Sequence, residues 1–377
     1  MNTTKSSTLE VFDWLRFPLA VGVVFVHSFG ARVVDQVRLV NDPLSWGAIY
    51  DFLRVFGSKA LPLIAVPIFY IMSGYLFFSR MPDWDWNLYG QKLRRRVRTL
   101  LLPYLGWNIF HIVHLSWPTL MKVFSGQRSV DALWALLHKL GGFRMFFDSH
   151  LNRPVPTNIF GIPMESTGPV LMPLWFMRDL MIVLLFAPVL YWLLRRFGRW
   201  VVAVLAACFV LNLWVPVHGT SIYCTFWFTL GSYFAVSGRD PVQSLFRYRR
   251  AAYPIAAVSV FLLAWLRAWH GAPDSFPIRL VYIAYVFSAV ISAFGIASYV
   301  CRNTSFRFPS WLVHATFFIY CTHIFMRKQV LTLILSLFPS PGNPILIVIY
   351  YLVPILTVAA CVVTRQLFVK MLHLQRS

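Results

Sequence analysis

Ten stretches of roughly twenty mostly apolar residues recur along this chain of 377 residues, and that recurrence limits the fold more than any other feature. They fall near 11–31, 60–79, 99–117, 173–194, 200–217, 221–237, 252–269, 278–300, 311–338 and 344–364. A backbone in hydrocarbon must satisfy its own N–H and C=O groups, which an α-helix does within a single segment. The expected fold is therefore all-α. It is a polytopic integral membrane bundle of about ten transmembrane helices, with residues 1–377 forming one membrane domain. Composition agrees, with 58% apolar and 12% charged residues, against roughly a quarter charged in soluble domains. A soluble globular enzyme is excluded.

Lys and Arg total 34 against 13 Asp and Glu, a formal charge of +21. Such an excess can mark a nucleic-acid binder, but in so apolar a chain basic residues collect in cytoplasmic loops and set orientation. With the N-terminus inside, nineteen basic residues fall in inner segments and eleven, Arg54 and Lys59 among them, in outer ones. Arg16, Arg178, Arg327 and Lys328 remain within spans. The bias predicts both termini in the cytoplasm, and no nucleic acid is needed as a partner.

Residues 118–172 are too long for a tight connection. Their apolar pieces and Pro/Gly/Asn-rich run predict an extracytoplasmic or re-entrant cap containing a short amphipathic helix. Interior Pro18, Pro67, Pro188 and Pro354 are expected to kink their helices. The five cysteines are widely spaced, with no C-x-x-C pair and no His/Cys cluster, so neither a disulfide framework nor a metal site is expected. No small-residue cleavage site follows the first apolar run, which is expected to stay as a helix rather than be removed.

That first run, FDWLRFPLAVGVVFVH from Phe12 to His27, carries the most informative pair. Arg16 and His27 are eleven residues apart, about three turns plus 20°, so they share one helix face roughly 16 Å apart along the axis. Polar groups within lipid are costly unless their face lines a polar cavity. A snorkelling Arg and a His bonded to a carbonyl is the bland alternative.

Arg16, ten intervening residues and His27 resemble the R/K-x10-H signature of the acyltransferase-3 membrane O-acyltransferases. Other pieces follow in the family's order. VPIFYIMSGYLF (Val66–Phe77) is similar to its second-helix motif ending in Ser-Gly-Tyr, and KLRRRVRTLLLPY (Lys92–Tyr104) to its basic stretch before a Pro-containing helix. PLWFMRDL (Pro173–Leu180) resembles the Leu-Trp-Phe helix start, FTLGSYFA (Phe228–Ala235) a weaker small-residue pattern, and FIYCTH (Phe318–His323) the late Ile-Tyr-x-x-His. Two departures stand out. No SGNH-type domain is found in these residues, and Pro173 stands where many members carry a polar residue.

The resemblance implies a membrane O-acyltransferase of the bacterial cytoplasmic (inner) membrane. Its donor would be acyl-CoA, most commonly acetyl-CoA, and its acceptor a hydroxyl of a surface glycan or lipid-linked sugar. Such chemistry needs a base for the hydroxyl proton, and an imidazole suits it. His27 is the expected base or transient acyl carrier, Arg16 its companion, and Asp179 the expected orienting acid. Asp13, one turn from Arg16, is either a brace for the guanidinium or a surface ion pair. Ser73 and Tyr75 are placed to bond a pantetheine amide, with Gly74 either permitting that approach or serving a helix contact. Arg94, Arg95, Arg96 and Arg98 suit the phosphates of coenzyme A, or they are only the positive-inside signal. Glu165, Arg178, His323 and Arg327 complete the candidates. A transporter or flippase of glycolipid intermediates is the competing class, and a purely structural scaffold ranks last.

Overall fold

Proline and local hydrogen bonding decide where the helices start and break. The computed structural model describes residues 8–30, 33, 41–81, 83–149, 168–214, 219–270 and 275–374. Among these the regular structure is entirely helical. In chain order the first helices are α1 (Thr8–His27), α2 (Trp46–Val55) and α3 (Ala65–Phe78), with a π turn at Phe56–Ala60 and a 3-10 turn at Leu61–Ile64 between the last two. There follow α4 (Trp86–Arg96), a π turn at Val97–Leu101, α5 (Leu102–Phe124), α6 (Asp131–Lys139), α7 (Trp175–Leu185), α8 (Ala187–Phe197), α9 (Arg199–Leu211) and α10 (Ile222–Val236). The chain closes with α11 (Pro241–Phe246), α12 (Arg249–His270), α13 (Phe276–Asn303), α14 (Ser310–Leu337) and α15 (Asn343–Leu374).

Four helical stretches are long and apolar enough to cross a membrane: Trp46–Phe78, Arg249–Ala268, Phe276–Asn303 and Asn343–Met371. A fifth arises if Met172–Leu185 and Ala187–Phe197, bent by 65°, count as one broken span. Several apolar helices of this kind define a multi-pass membrane protein.

One sequence expectation needs correction. The stretch expected near 60–79 begins at Trp46, so Arg54 and Lys59 lie inside a helical segment rather than in an outer loop. Arg54 is tolerated there because Asp51, one turn earlier, pairs with it. The kink expected at Pro188 is present: the segment bends by 65° just before it, and Pro188 stands in the first turn of α8. A proline lacks the N–H that would have continued the preceding helix, and it is tolerated at a helix start. The expected cap is only partly described. Within it α6 is a nine-residue helix, and Leu140, Met145 and Val170 pack with Ile112, Leu136 and Phe146.

The chain divides into two compact units, Met1–Phe69 with Asp240–Ser377, and Tyr70–Arg239. In the first, α1 lies against α13, α14, α15 and the Leu61–Ile64 turn. Val24 of α1 joins Ala315, Ile319, Val358, Cys361 and Val362 in one cluster. In the second, α10 packs against α7, α8 and α9. In lipid such contacts rest on close van der Waals fit rather than on escape from water.

Gly74 and Gly231 supply that fit in the second unit. A Cβ on Gly74 would run into the Phe228 carbonyl and the Ser232 hydroxyl, and one on Gly231 into the Ile71 carbonyl. Gly74 thus serves a helix contact. Gly74→Val is expected to destabilise the fold by about 2–3 kcal/mol, because the obstructing atom is backbone and has no rotamer to escape into. A lower thermal midpoint and a smaller monodisperse fraction on size exclusion would register it; an unchanged midpoint would contradict the packing.

Candidate active site

In the first unit, α1 and α14 run in the same direction. Val24 meets Ala315 and Ile319, while His27, one turn later, meets His323, one turn later on α14. The two imidazole rings lie 5.0 Å apart, centroid to centroid, with their planes at 45°. His323 is fully buried. Its Nδ1 stands 2.9 Å from the Tyr320 carbonyl and 3.1 Å from that of Ile319. A carbonyl only accepts, so Nδ1 carries a proton and donates it, and in the neutral ring Nε2 is the lone-pair nitrogen. That Nε2 is buried with no hydrogen-bond partner among the described residues. Arg327 follows one turn beyond His323 on α14, half-buried, and its Nε is likewise buried without a partner.

Arg16, on the His27 face of α1, pairs with Asp13 at 2.6 Å, their side chains 39% and 55% exposed. That exposure makes the contact worth only about 0–1 kcal/mol, the range of a surface ion pair. An apolar cavity of about 410 Å³ borders α1 at Pro18, Gly22 and Phe25, with Pro62, Ile296 and Tyr351 opposite. At 100° per residue these α1 positions lie roughly 140–200° round the helix from His27. The cavity backs the helix, away from the histidines.

Sequence reasoning missed a buried network at the His27 end of α1. Arg54 Nε stands 2.6 Å from an Asp51 oxygen, the two side chains only 6% and 2% exposed. Arg54 also donates to the Gly30 carbonyl at 3.1 Å, and Asp51 accepts from the Val33 N–H at 3.1 Å. Ser58 donates to the Phe25 carbonyl at 2.6 Å and lies 2.8 Å from the Tyr350 hydroxyl. These bonds tie the end of α1 to α2 and α15. The available signal was an acid and a base at i, i+3 beside an apolar run, which was read instead as loop charge.

In the second unit, Asp179 is buried and fully engaged. One oxygen accepts from Arg178 at 2.9 and 3.0 Å, and the other from the Ser221 hydroxyl at 2.7 Å. Arg178 also donates to the Phe147 carbonyl and lies over that ring. Nearby, Asn108 bridges the Tyr104 carbonyl and the Leu171 N–H. Ser73 and Tyr75 are both half-buried. Glu165 lies outside the described residues.

The basic stretch forms a shelf. Asp85 caps α4 by accepting from Asn87 and Leu88. Arg94, Arg95 and Arg98 are exposed, Lys92 and Arg96 half-buried, and Lys92 donates to the Phe77 carbonyl. Burial first, then neighbouring guanidinium charge from Arg96 and Arg80, holds Lys92 below the usual lysine range; burial and Arg95 do the same to Arg96. Crowded cations of this kind gain from an anion. Among the described residues no group of three or more His, Cys, Asp or Glu side chains stands close enough to hold a metal ion.

Long apolar helices and the contact of His27 on α1 with His323 on α14 fit a membrane-embedded transferase. Residues 9–365 match the acyltransferase-3 family, described as an acyltransferase domain, and the chain belongs to that family. It is an acyltransferase. It is also 28% identical over 368 residues to the succinoglycan biosynthesis protein ExoH of Rhizobium meliloti (strain 1021), covering 94% of this chain and 86% of that one. No solved structure matches.

Proposed function

We propose that the protein transfers an acyl group, acetyl in the simplest case, from acyl-CoA to a hydroxyl of a surface glycan or lipid-linked sugar at the bacterial inner membrane. The observation that carries this reading is the approach of His27 to His323, a ring whose tautomer is held by two backbone carbonyls. The similarity to a succinoglycan biosynthesis protein supports a glycan acceptor.

In this reading His27 removes the acceptor proton as the hydroxyl oxygen bonds to the thioester carbon. The C–S bond breaks, and His27 returns the proton to the departing sulfur, leaving an ester and free coenzyme A. His323 orients His27 by the contact between their rings. Arg327, a turn away, offers positive charge to the oxygen that becomes anionic in the transition state. Arg16 and Asp13 keep the shared face of α1 polar. Asp179, braced by Arg178 and Ser221, is the acid of the second unit, and Ser73 and Tyr75 are its hydroxyls for a pantetheine arm. The ten-span topology with both termini cytoplasmic belongs to the same proposal, since it puts the basic shelf on the side where coenzyme A is found.

Purified protein incubated with labelled acetyl-CoA and extracted glycolipids should release free coenzyme A and label the glycolipid. A transporter would release none, and that outcome would replace the reading. Replacing Arg94, Arg95 and Arg98 together by Gln is expected to raise the KM for acyl-CoA about tenfold or more, with a weaker salt dependence, while kcat changes little. A fall in kcat alone would place these residues elsewhere in the mechanism.

A further inference from the structure

Among the described residues, Lys59 is a cation near the His27 end of α1 with no carboxylate beside it. Phe29, two residues beyond His27, lies beneath two cations: the Arg54 guanidinium 4.3 Å and the Lys59 ammonium 4.9 Å from its ring centre. Asp51 neutralises Arg54 in the buried pair. Arg267 of α12 donates to the backbone carbonyl of Lys59, and its charge and that of Arg54 both act on the Lys59 ammonium. Among the described residues Lys59 has no carboxylate partner; its only resolved attraction is the Phe29 ring. A half-buried ammonium in an apolar helical stretch is costly without a counter-ion.

We infer that Lys59, with Arg267 beside it, is a binding site for a carboxylate held close to His27. The inference rests on the proposed transfer at His27, because that reading places both substrates at this end of α1. A carboxylate can arrive there from two sources: the far end of a dicarboxylic acyl group, or an acidic sugar of the acceptor. The chemistry is the same in both. A compact ammonium, held over an aromatic face with a guanidinium fork beside it, matches a single negative oxygen pair. A neutral acyl group or sugar gains nothing from it. Lys59 is thus a specificity residue, selecting which acyl group or acceptor dwells at this end of α1.

Binding to the purified full-length protein, measured as the shift of thermal unfolding with ligand concentration, tests this without turnover. The probes are succinyl-CoA against acetyl-CoA, and methyl glucuronide against methyl glucoside. The wild type should bind the acidic member of at least one pair about tenfold or more tightly than the neutral one. Lys59→Met should abolish that preference and Lys59→Arg retain it. Loss confined to the CoA pair assigns the carboxylate to the acyl group; loss confined to the sugar pair assigns it to the acceptor. Equal affinity for acidic and neutral members in the wild type overturns the site, as does an equal loss for both members in Lys59→Met. If Lys59→Met fails to fold, Lys59→Gln and the wild-type preference decide. Failure of acyl transfer would reject the proposed reaction, whereas the binding ratio judges the carboxylate site separately.

Discussion

Changing His27 to alanine is expected to reduce acyl transfer by at least about 10²–10⁴-fold, the range a positioned general base supplies. The protein should still insert and keep its thermal midpoint, because His27 is only half-buried and the cluster around Val24 that anchors α1 to α14 and α15 does not use it. Release of free coenzyme A from labelled acetyl-CoA is the readout. Activity within a few-fold of wild type would remove His27 from the chemistry, and the base would then be sought at His323, whose Nε2 is already poised as a lone-pair nitrogen. His323→Ala separates the two roles. An orienting ring should lower kcat with little change in KM, since its contact matters as the proton moves.

The second large effect concerns stability. Arg54→Met strands the buried Asp51 carboxylate, and Asp51→Asn strands the guanidinium; removing one member of a buried pair costs about 3–5 kcal/mol. Either change should sharply lower the yield of folded protein and its thermal midpoint. The double change Asp51→Leu with Arg54→Met should recover part of the loss. It removes both charges, but it leaves the Val33 N–H and the Gly30 carbonyl without their side-chain partners. A double variant no better than the worse single one would mean that the outer backbone bonds, rather than the charge pair, hold this end of α1. Because the pair secures Gly30, three residues from His27, a surviving variant should also lose activity.

Much of the fold was legible because hydrocarbon imposes one solution on the backbone, and long apolar runs announce it. The stretches near 252–269, 278–300 and 344–364 correspond to helices long and apolar enough to span. Boundaries were less legible. Arg54 reads as outer-loop charge when considered by itself, whereas in the fold it pairs with Asp51 inside a helix that begins at Trp46 behind its Ser45 cap. The bend at 172–197 was legible in Pro188, but its size was not, because hydropathy is blind to direction.

The candidate site divides in the same way. Arg16 and His27 share a face by helical period alone, so one helix and its sequence were enough to single them out. The candidates on other helices were visible as residue types without partners. Asp179 could be named as a carboxylate in an apolar run, but not that Arg178 and Ser221 occupy both its oxygens. His323 and Arg327 stood out as polar groups within a span, but not that His323 meets His27.

By itself, then, the sequence determined an all-helical membrane chain, its acyltransferase-3 kinship, and the face of α1 that carries Arg16 and His27. Those properties follow from hydropathy and from spacings within one element. Tertiary structure alone decided which ring faces His27, that Asp51 and Arg54 cancel, and that Lys59 lies over the Phe29 ring. Each of these depends on the register between helices far apart in the chain, which is set by side-chain packing and by pairing in a low-dielectric interior.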